Sequence, residues 1–562
     1  MLKFSEMPYK RPEKAPSFAA LRAEIKSMEK AGDYSKFKIA ILACQKLMSN
    51  FYTMSTLVYI RHTIDTSDKF YAAEQKYFDQ VEPQLVPIMI KYAKTILASP
   101  FKDELAGEFG DHYITIQENT LKKMSPKLVP AMQRQNTLVN EYENLLASCK
   151  VDFGGETLNL SGLGKYLQDP NREVRREVSK AISDFLSANS AKLDGLYDKL
   201  VKLRTGMGKK MGFDTYTPLG YLNMDRYSYC AQDVAKFREQ VISDIVPVCT
   251  KLREQQAKRI GVDKIYNYDE TFMFTDGNAV PHGSVDEMIS AAQRMYRELS
   301  DETGDFFDFM VKHELMDLIN RPNKRVGGYC TTLHDYEAAF IFSNFNGTAA
   351  DVDVLTHEAG HAFAGYCANM HNNLLDYLSP TMESCEIHSM SMEFFTHPWM
   401  ELFFGDAADK YRYAHLLEAF LFIPYGVCVD EFQHVVYENP GMTPAQRNAA
   451  WRELEKKYLP HRHYDSEYFE AGGMWQKQHH IYSMPFYYID YALASISAFE
   501  FYGKMKADKA TAWHDYFNLC CAGGSKPYRE LLKLANLSDP FVPGSVQKAI
   551  AAGVDTLMNT NI

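Results

Sequence analysis

The sequence lacks what a membrane protein needs. No stretch approaches the roughly 18 consecutive apolar residues of a spanning helix, and the apolar region 420–429 is short and broken by proline and glycine. Residues 1–16 are polar and interrupted by prolines, without the apolar core of a signal peptide, so export by that route is not expected. There is no C-x-x-C pair. Ten cysteines are scattered from Cys44 to Cys521, and the adjacent Cys520 and Cys521 cannot bridge easily, which reads as reduced thiols in a cytoplasmic protein. Basic excess is missing too: 61 Lys and Arg face 72 Asp and Glu, a formal net charge of −11, which argues against nucleic acid or an anionic membrane as partner. No internal repeat at a solenoid period is present.

What the chain has is apolar residues at 46%, enough for a large core. Residues 1–320 read as successive helices. Asp169 and Pro170 form a start signal, the Asp capping free amides and the Pro sitting in the first turn. The following segment, 174–203, puts Val178, Ile182, Phe185 and Leu186 on one face. Ser67 and Asp68 open a helix expected to run through Ala98, and Gly212 is expected to stop the 202–211 segment in a left-handed conformation. The texture changes at the Pro-containing basic loop 320–325. Two short strands are predicted at 327–332 and 339–345, then a turn and cap at Asn346, Gly347 and Thr348, then a helix over 349–370.

That helix carries His357, Glu358, Ala359, Gly360 and His361, an H-E-x-x-H motif. Four-residue spacing puts both imidazoles on one face, where they can share an ion, and Glu358 beside them can take a proton from water. The small residues Ala359, Gly360 and Ala362 are expected to leave room around the metal. A catalytic site needs a third ligand and an open fourth position. The metzincin spacing H-E-x-x-H-x-x-G-x-x-H is excluded by Ala364 and Cys367. A gluzincin-type aminopeptidase would place its glutamate where this chain has Pro380. The next acidic residues, Glu383 and Glu386, lie in a predicted helix over 381–395, and both are candidates. Glu393 shares the face of Glu386 and is read either as orienting a histidine or as a solvated or core-capping residue, while His388 and His397 read as structural.

The motif HEAGH, followed by the glutamate of ESCEIHSMSMEFF, resembles the thimet oligopeptidase and oligoendopeptidase F family, most closely its bacterial oligoendopeptidase F branch. GGYCTT and FIFSNFNGT upstream, HHIYSMPFYYIDYALA downstream and the C-terminal GGSKPYRELLKLANLSDPF carry the same likeness. The resemblance implies one Zn2+ per chain, held by His357, His361 and Glu386, with Glu358 as general base. It implies further that His480, Tyr488 and Tyr491 face the scissile carbonyl as oxyanion donors, with Tyr487 as the alternative to Tyr488. It implies a mainly α fold of two helical lobes enclosing a deep substrate channel, with a small β-sheet beside the zinc-binding helix. We divide the chain into an N-terminal helical lobe, 1–175, and a catalytic region, 176–562, with its core at about 320–500.

The activity implied is zinc-dependent hydrolysis of internal bonds in short, unstructured peptides. The alternatives are a zinc exopeptidase trimming dipeptides or single residues from one end, and an inactive helical peptide-binding protein. If strand 340–345 is a sheet edge, an extended peptide can add to it, which places Phe342, Asn344 and Gly347 at the substrate.

Overall fold

The computed structural model describes every residue except 322, 326 and 561, so the proline of the 320–325 loop lies outside the described residues. The chain is mainly α, as expected, with one two-stranded and one three-stranded sheet. No described helix is long and apolar enough to cross a membrane.

Local chemistry accounts for some of the helix ends. Asp68 accepts from the backbone N–H groups of Phe70 and Tyr71 at 2.8 and 3.1 Å. The helix it opens is nevertheless two, Lys69–Val81 and Val86–Leu97, joined by a tight turn at Glu82–Leu85. Pro83 supplies the reason, since it has no N–H and its ring crowds the carbonyl one turn back. The long helix Arg172–Lys210 starts later than expected: Asn171 caps it by accepting from Glu173 N–H, while Asp169 folds back to accept from Asn171 N–H at 2.8 Å. Past its end, Gly212 takes a left-handed φ of +90°, as predicted.

Strands β1 (Val151–Phe153) and β2 (Glu156–Leu158) form a hairpin away from the motif. The second sheet has three strands where two were predicted: β3 (Met316–Ile319), β4 (Tyr329–Leu333) and β5 (Ala338–Phe345), in the order β3-β5-β4. β5 is therefore central, parallel to β3 and antiparallel to β4. Its near-continuous apolar run, buried on both faces, is what a central strand requires. Lys324 is buried beneath this sheet, donating to Asp317 Oδ1 at 2.7 Å and to Ile319 O at 3.0 Å.

The motif helix, Ala350–His371, packs on β5 and on the helix Met382–Phe395. Its start differs from expectation. Thr348 does not cap it; Asp351 reaches back to accept from Asn346 and Gly347 N–H at 2.9 and 2.7 Å. Gly360 makes the helix pair possible: a Cβ there would lie 2.7 Å from both His388 O and Ser389 Cα. The small residue serves close backbone approach between helices, and not space at the metal as its sequence context suggested.

Candidate active site

His357 and His361 lie one turn apart, ring centroids 5.0 Å from each other. Because Gly360 lets the second helix approach, Glu386 reaches both imidazoles: its Oε2 is 3.3 Å from His357 Nε2 and 3.5 Å from His361 Nε2. One donor atom from each residue lies within 4.8 Å of the others. Glu383, the competing carboxylate, is fully buried elsewhere and accepts from Thr381 Oγ1 at 2.8 Å. The imidazoles keep 21% and 19% side-chain exposure against 3% for Glu386, so the cluster is open on the histidine side.

The three side chains are themselves held. Glu386, Ser389 and Glu393 share one helix face. Ser389 Oγ donates to Glu386 Oε2 at 2.9 Å, and Tyr487 OH to Glu386 Oε1 at 2.6 Å. Glu393 Oε1 lies 2.6 Å from His357 Nδ1 and its Oε2 lies 2.6 Å from His415 Nε2, which continues to His397 through His415 Nδ1 at 3.0 Å. Burial alone would raise the Glu393 carboxyl, but its hydrogen bonds to His357 and His415 hold it at about 2. An ionised carboxylate only accepts, so His357 carries a proton on Nδ1, and Nε2 is the nitrogen that faces the cluster. The histidine-orienting reading of Glu393 is thus the one the geometry favours. His397 stands at the far end of this chain. His388 is buried, and burial pushes its imidazole down to about 3.

Glu358 is buried beside the cluster but contributes no atom to it, and burial raises its carboxyl above the ordinary range. Its Oε1 lies 3.6 Å from where a Cβ on Gly328 would sit, at the entry to β4. No backbone group of β4 is bonded outside the β4–β5 ladder among the described residues. The edge available for strand addition is therefore β4, and the expectation for strand 340–345 is corrected. Phe342 is fully buried, its ring stacked on Tyr329 at 4.8 Å. Asn344 Nδ2 donates to Arg325 O and Gly327 O, both at 2.8 Å, and Gly347 N–H is committed to Asp351. These three residues shape the sheet and its loops.

His480, Tyr487, Tyr488 and Tyr491 come together as one aromatic group. The His480 ring lies 5.6, 4.9 and 5.9 Å from the three tyrosine rings in that order. Burial pushes His480 down to about 3, so the ring is neutral. Tyr425 OH donates to Gln478 Oε1 at 2.8 Å, which turns the Gln478 amide so that Nε2 donates to His480 Nδ1 at 2.8 Å. The imidazole proton then sits on Nε2, the form that can donate to a ligand. Tyr487 is committed to Glu386 and also interacts with the Tyr491 hydroxyl, whereas the Tyr488 hydroxyl has no hydrogen-bond partner among the described residues. Sequence reasoning missed Ser389, His415, Gln478 and strand β3. Ser389 has a signal in its i, i+3 spacing from Glu386 and Gln478 in its i, i+2 spacing from His480; His415 and β3 join the site only through tertiary contacts.

A cavity of about 1020 Å³ opens between the N-terminal helices and this region, reaching Arg325 and Ser483 but not the donor triad itself. Gln75, Gln84, Gln133, Gln135, Asn136 and Asn140 line it; Gln75, Gln84 and Gln135 are bonded to Asp79, Gln80 and Arg204, which leaves Gln133, Asn136 and Asn140 as the amides without a partner among the described residues.

Residues 165–549 match the model of Peptidase family M3, and residues 4–124 match the Peptidase M3 N-terminal domain. The chain belongs to peptidase family M3. This M3 peptidase is 47% identical to a solved structure of PZ peptidase A with an inhibitor, with a TM-score of 0.96 and all of both chains covered. It is 44% identical to a crystal structure described as an oligoendopeptidase F from Bacillus anthracis, TM-score 0.92, covering 100% of this chain and 99% of that one. An oligoendopeptidase F homolog of Borreliella burgdorferi is 22% identical over 440 residues, 75% of this chain and 72% of the relative. The protein is a metalloendopeptidase of the oligoendopeptidase F type.

Proposed function

We propose that this M3 peptidase hydrolyses internal bonds of short, unstructured peptides with one zinc ion held by His357, His361 and Glu386. The observation that carries the reading is the convergence of these three donors within 4.8 Å, with Glu358 alongside and outside the set. The donors fit zinc: ligand atoms about 2.0–2.1 Å from a tetrahedral ion are about 3.3–3.4 Å apart, close to the 3.3 and 3.5 Å spacings here. Two imidazoles and one carboxylate are a catalytic donor set, leaving a fourth position open. Bound zinc would supply a Lewis acid that brings the pKa of a water molecule toward neutrality and polarises the scissile carbonyl.

The chain's own residues do the rest. The free edge of β4 pairs with the main chain of an extended peptide, fixing its carbonyl beside Glu358 without reading side chains. Glu358 takes a proton from the attacking water and delivers it to the leaving amine; its raised pKa, caused by burial, suits both transfers. His480 Nε2–H and the Tyr491 hydroxyl donate to the carbonyl oxygen as it gains charge, with Tyr488 beside them, each donor worth about 3 kcal/mol. Tyr487 supports Glu386. The amide-lined cavity admits flexible chains, and ten free cysteines suit a reducing compartment such as cytoplasm.

The test is cleavage of a graded-length peptide series with mass-spectrometric mapping, on protein as purified, after chelation and after zinc return. Internal cuts that vanish and recover with zinc are expected. Cuts confined to one terminus would replace the endopeptidase reading, and cleavage indifferent to chelation would sink the zinc assignment.

A further inference from the structure

The turn between the short helix His479–Ser483 and the helix Tyr488–Ala507 contains a bulky residue in a conformation that favours glycine. Phe486 has φ +69°. Such a residue persists only where its surroundings hold it. Both of its backbone polar groups are taken by buried side chains from other elements. Phe486 N–H donates to Gln433 Oε1 at 2.9 Å, and its carbonyl accepts from Arg226 Nη2. The same Arg226 nitrogen donates to Asp490 Oδ1 at 2.9 Å, and neither of those two side chains is exposed at all. Asp490 immediately precedes Tyr491, and Tyr487 immediately follows Phe486.

The Phe486 ring is gripped as well. It lies 4.9 Å from the His434 ring and 5.5 Å from those of Tyr221 and Tyr437. On its remaining side it meets Gly220, where a Cβ would come 2.5 Å from Phe486 Cδ2. One residue thus sets the angle between the helix bearing His480 and the helix bearing Tyr488 and Tyr491, and it is fixed by its N–H, its carbonyl and its ring.

We propose that Arg226 and Gln433 are positioning residues for catalysis. They hold Phe486 in its left-handed conformation, and so aim His480 Nε2 and the tyrosine hydroxyls at the carbonyl oxygen without touching substrate. This rests on the function proposed above, in which those groups donate to the developing oxyanion. Misplacing such donors by about 1 Å lowers turnover about 100-fold with little effect on ground-state binding.

The experiment uses the full-length, zinc-loaded protein and two variants that attack the clamp from opposite sides. Gln433→Leu removes the acceptor for Phe486 N–H at similar volume. Gly220→Ala pushes on the ring and deletes no polar group, so it carries the test alone if Gln433→Leu loses its cooperative melt. Each is expected to lower kcat about 10–100-fold, with KM nearly unchanged and zinc content intact. In a His480→Gln, Tyr491→Phe background, where the aimed donors are already gone, each is expected to cost little more. Unchanged kcat in a folded, zinc-loaded variant would overturn the proposal, as would a loss that is fully additive in that background. Glu358→Gln is the control: if it abolishes turnover while the clamp variants keep full kcat, the positioning role fails and the proposed function stands.

Discussion

Tyr487 OH donates to Glu386 Oε1 at 2.6 Å, while the other oxygen of that carboxylate faces both motif histidines at 3.3 and 3.5 Å. The tyrosine therefore occupies Oε1 and leaves Oε2, which also accepts from Ser389, to face the metal site. Outer partners of this kind change metal affinity about 10–100-fold. Tyr487→Phe is expected to weaken zinc by that factor in a chelator competition. Tyr491→Phe should leave the zinc affinity alone and lower kcat. Equal effects of the two on zinc would refute the division of labour.

Glu358 and Glu386 should separate chemistry from binding. Glu358→Gln is expected to keep full zinc content and lose turnover about 100- to 10,000-fold, the range for a general base. Glu386→Ala should lose zinc on dialysis. Metal analysis beside peptide kinetics checks both, and full zinc affinity in the second variant would exclude Glu386 as third ligand.

Glu393 binds His357 directly, and His415 reaches His357 only through Glu393. Glu393→Ala should weaken zinc about 10–100-fold. His415→Asn should weaken it less, since one oxygen of Glu393 still faces His357. Isothermal titration of the apo variants reads the order, and a larger loss in the His415 variant would contradict it.

Gly360→Ala places a Cβ 2.7 Å from His388 O and Ser389 Cα, and both atoms belong to helix backbone. The helices must separate. We expect a loss of about 1–3 kcal/mol in denaturant unfolding of the apo protein, and weaker zinc binding because Glu386 moves with its helix. A variant with unchanged stability would show that the pair can slide freely.

His112 lies between Tyr377 and Tyr227, and burial lowers it from an ordinary 6.5 to about 4. Below pH 6.5 the unfolded chain takes up this proton while the folded chain does not, so the contribution to stability is complete above 6.5 and is lost as pH falls toward 4. His461, lowered to about 3, acts with the same sign. These two histidines contribute a decline in melting temperature that begins below pH 6.5. His112→Gln should flatten that decline, and a decline unaffected by the substitution would exclude His112 as a contributor.

Legibility in the sequence followed the range of the interaction. Caps and stops involve neighbours a few residues apart, so Asp68 and Gly212 are readable, while Asn171, two residues on, provides the cap expected of Asp169, whose side chain accepts from Asn171 N–H instead. Pro83 breaks the single helix expected from Ser67 and Asp68 to Ala98 into two. Strand β3 is four residues long and has no clean alternation. Without it β5 looks like an edge, and that is what puts Phe342, Asn344 and Gly347 at the substrate in the sequence.

The sequence by itself determined the chemistry that four-residue helical spacing can encode: two imidazoles on one face, a carboxylate between them, and a mainly helical fold around them. Resemblance selected Glu386 over Glu383. Only the tertiary structure decided how close the second helix comes, which oxygen of Glu386 Tyr487 holds, that His415 backs Glu393, and that Arg226 and Gln433 meet at Phe486. These partners lie far apart in the chain, and what joins them is the packing of whole helices, which no local pattern records.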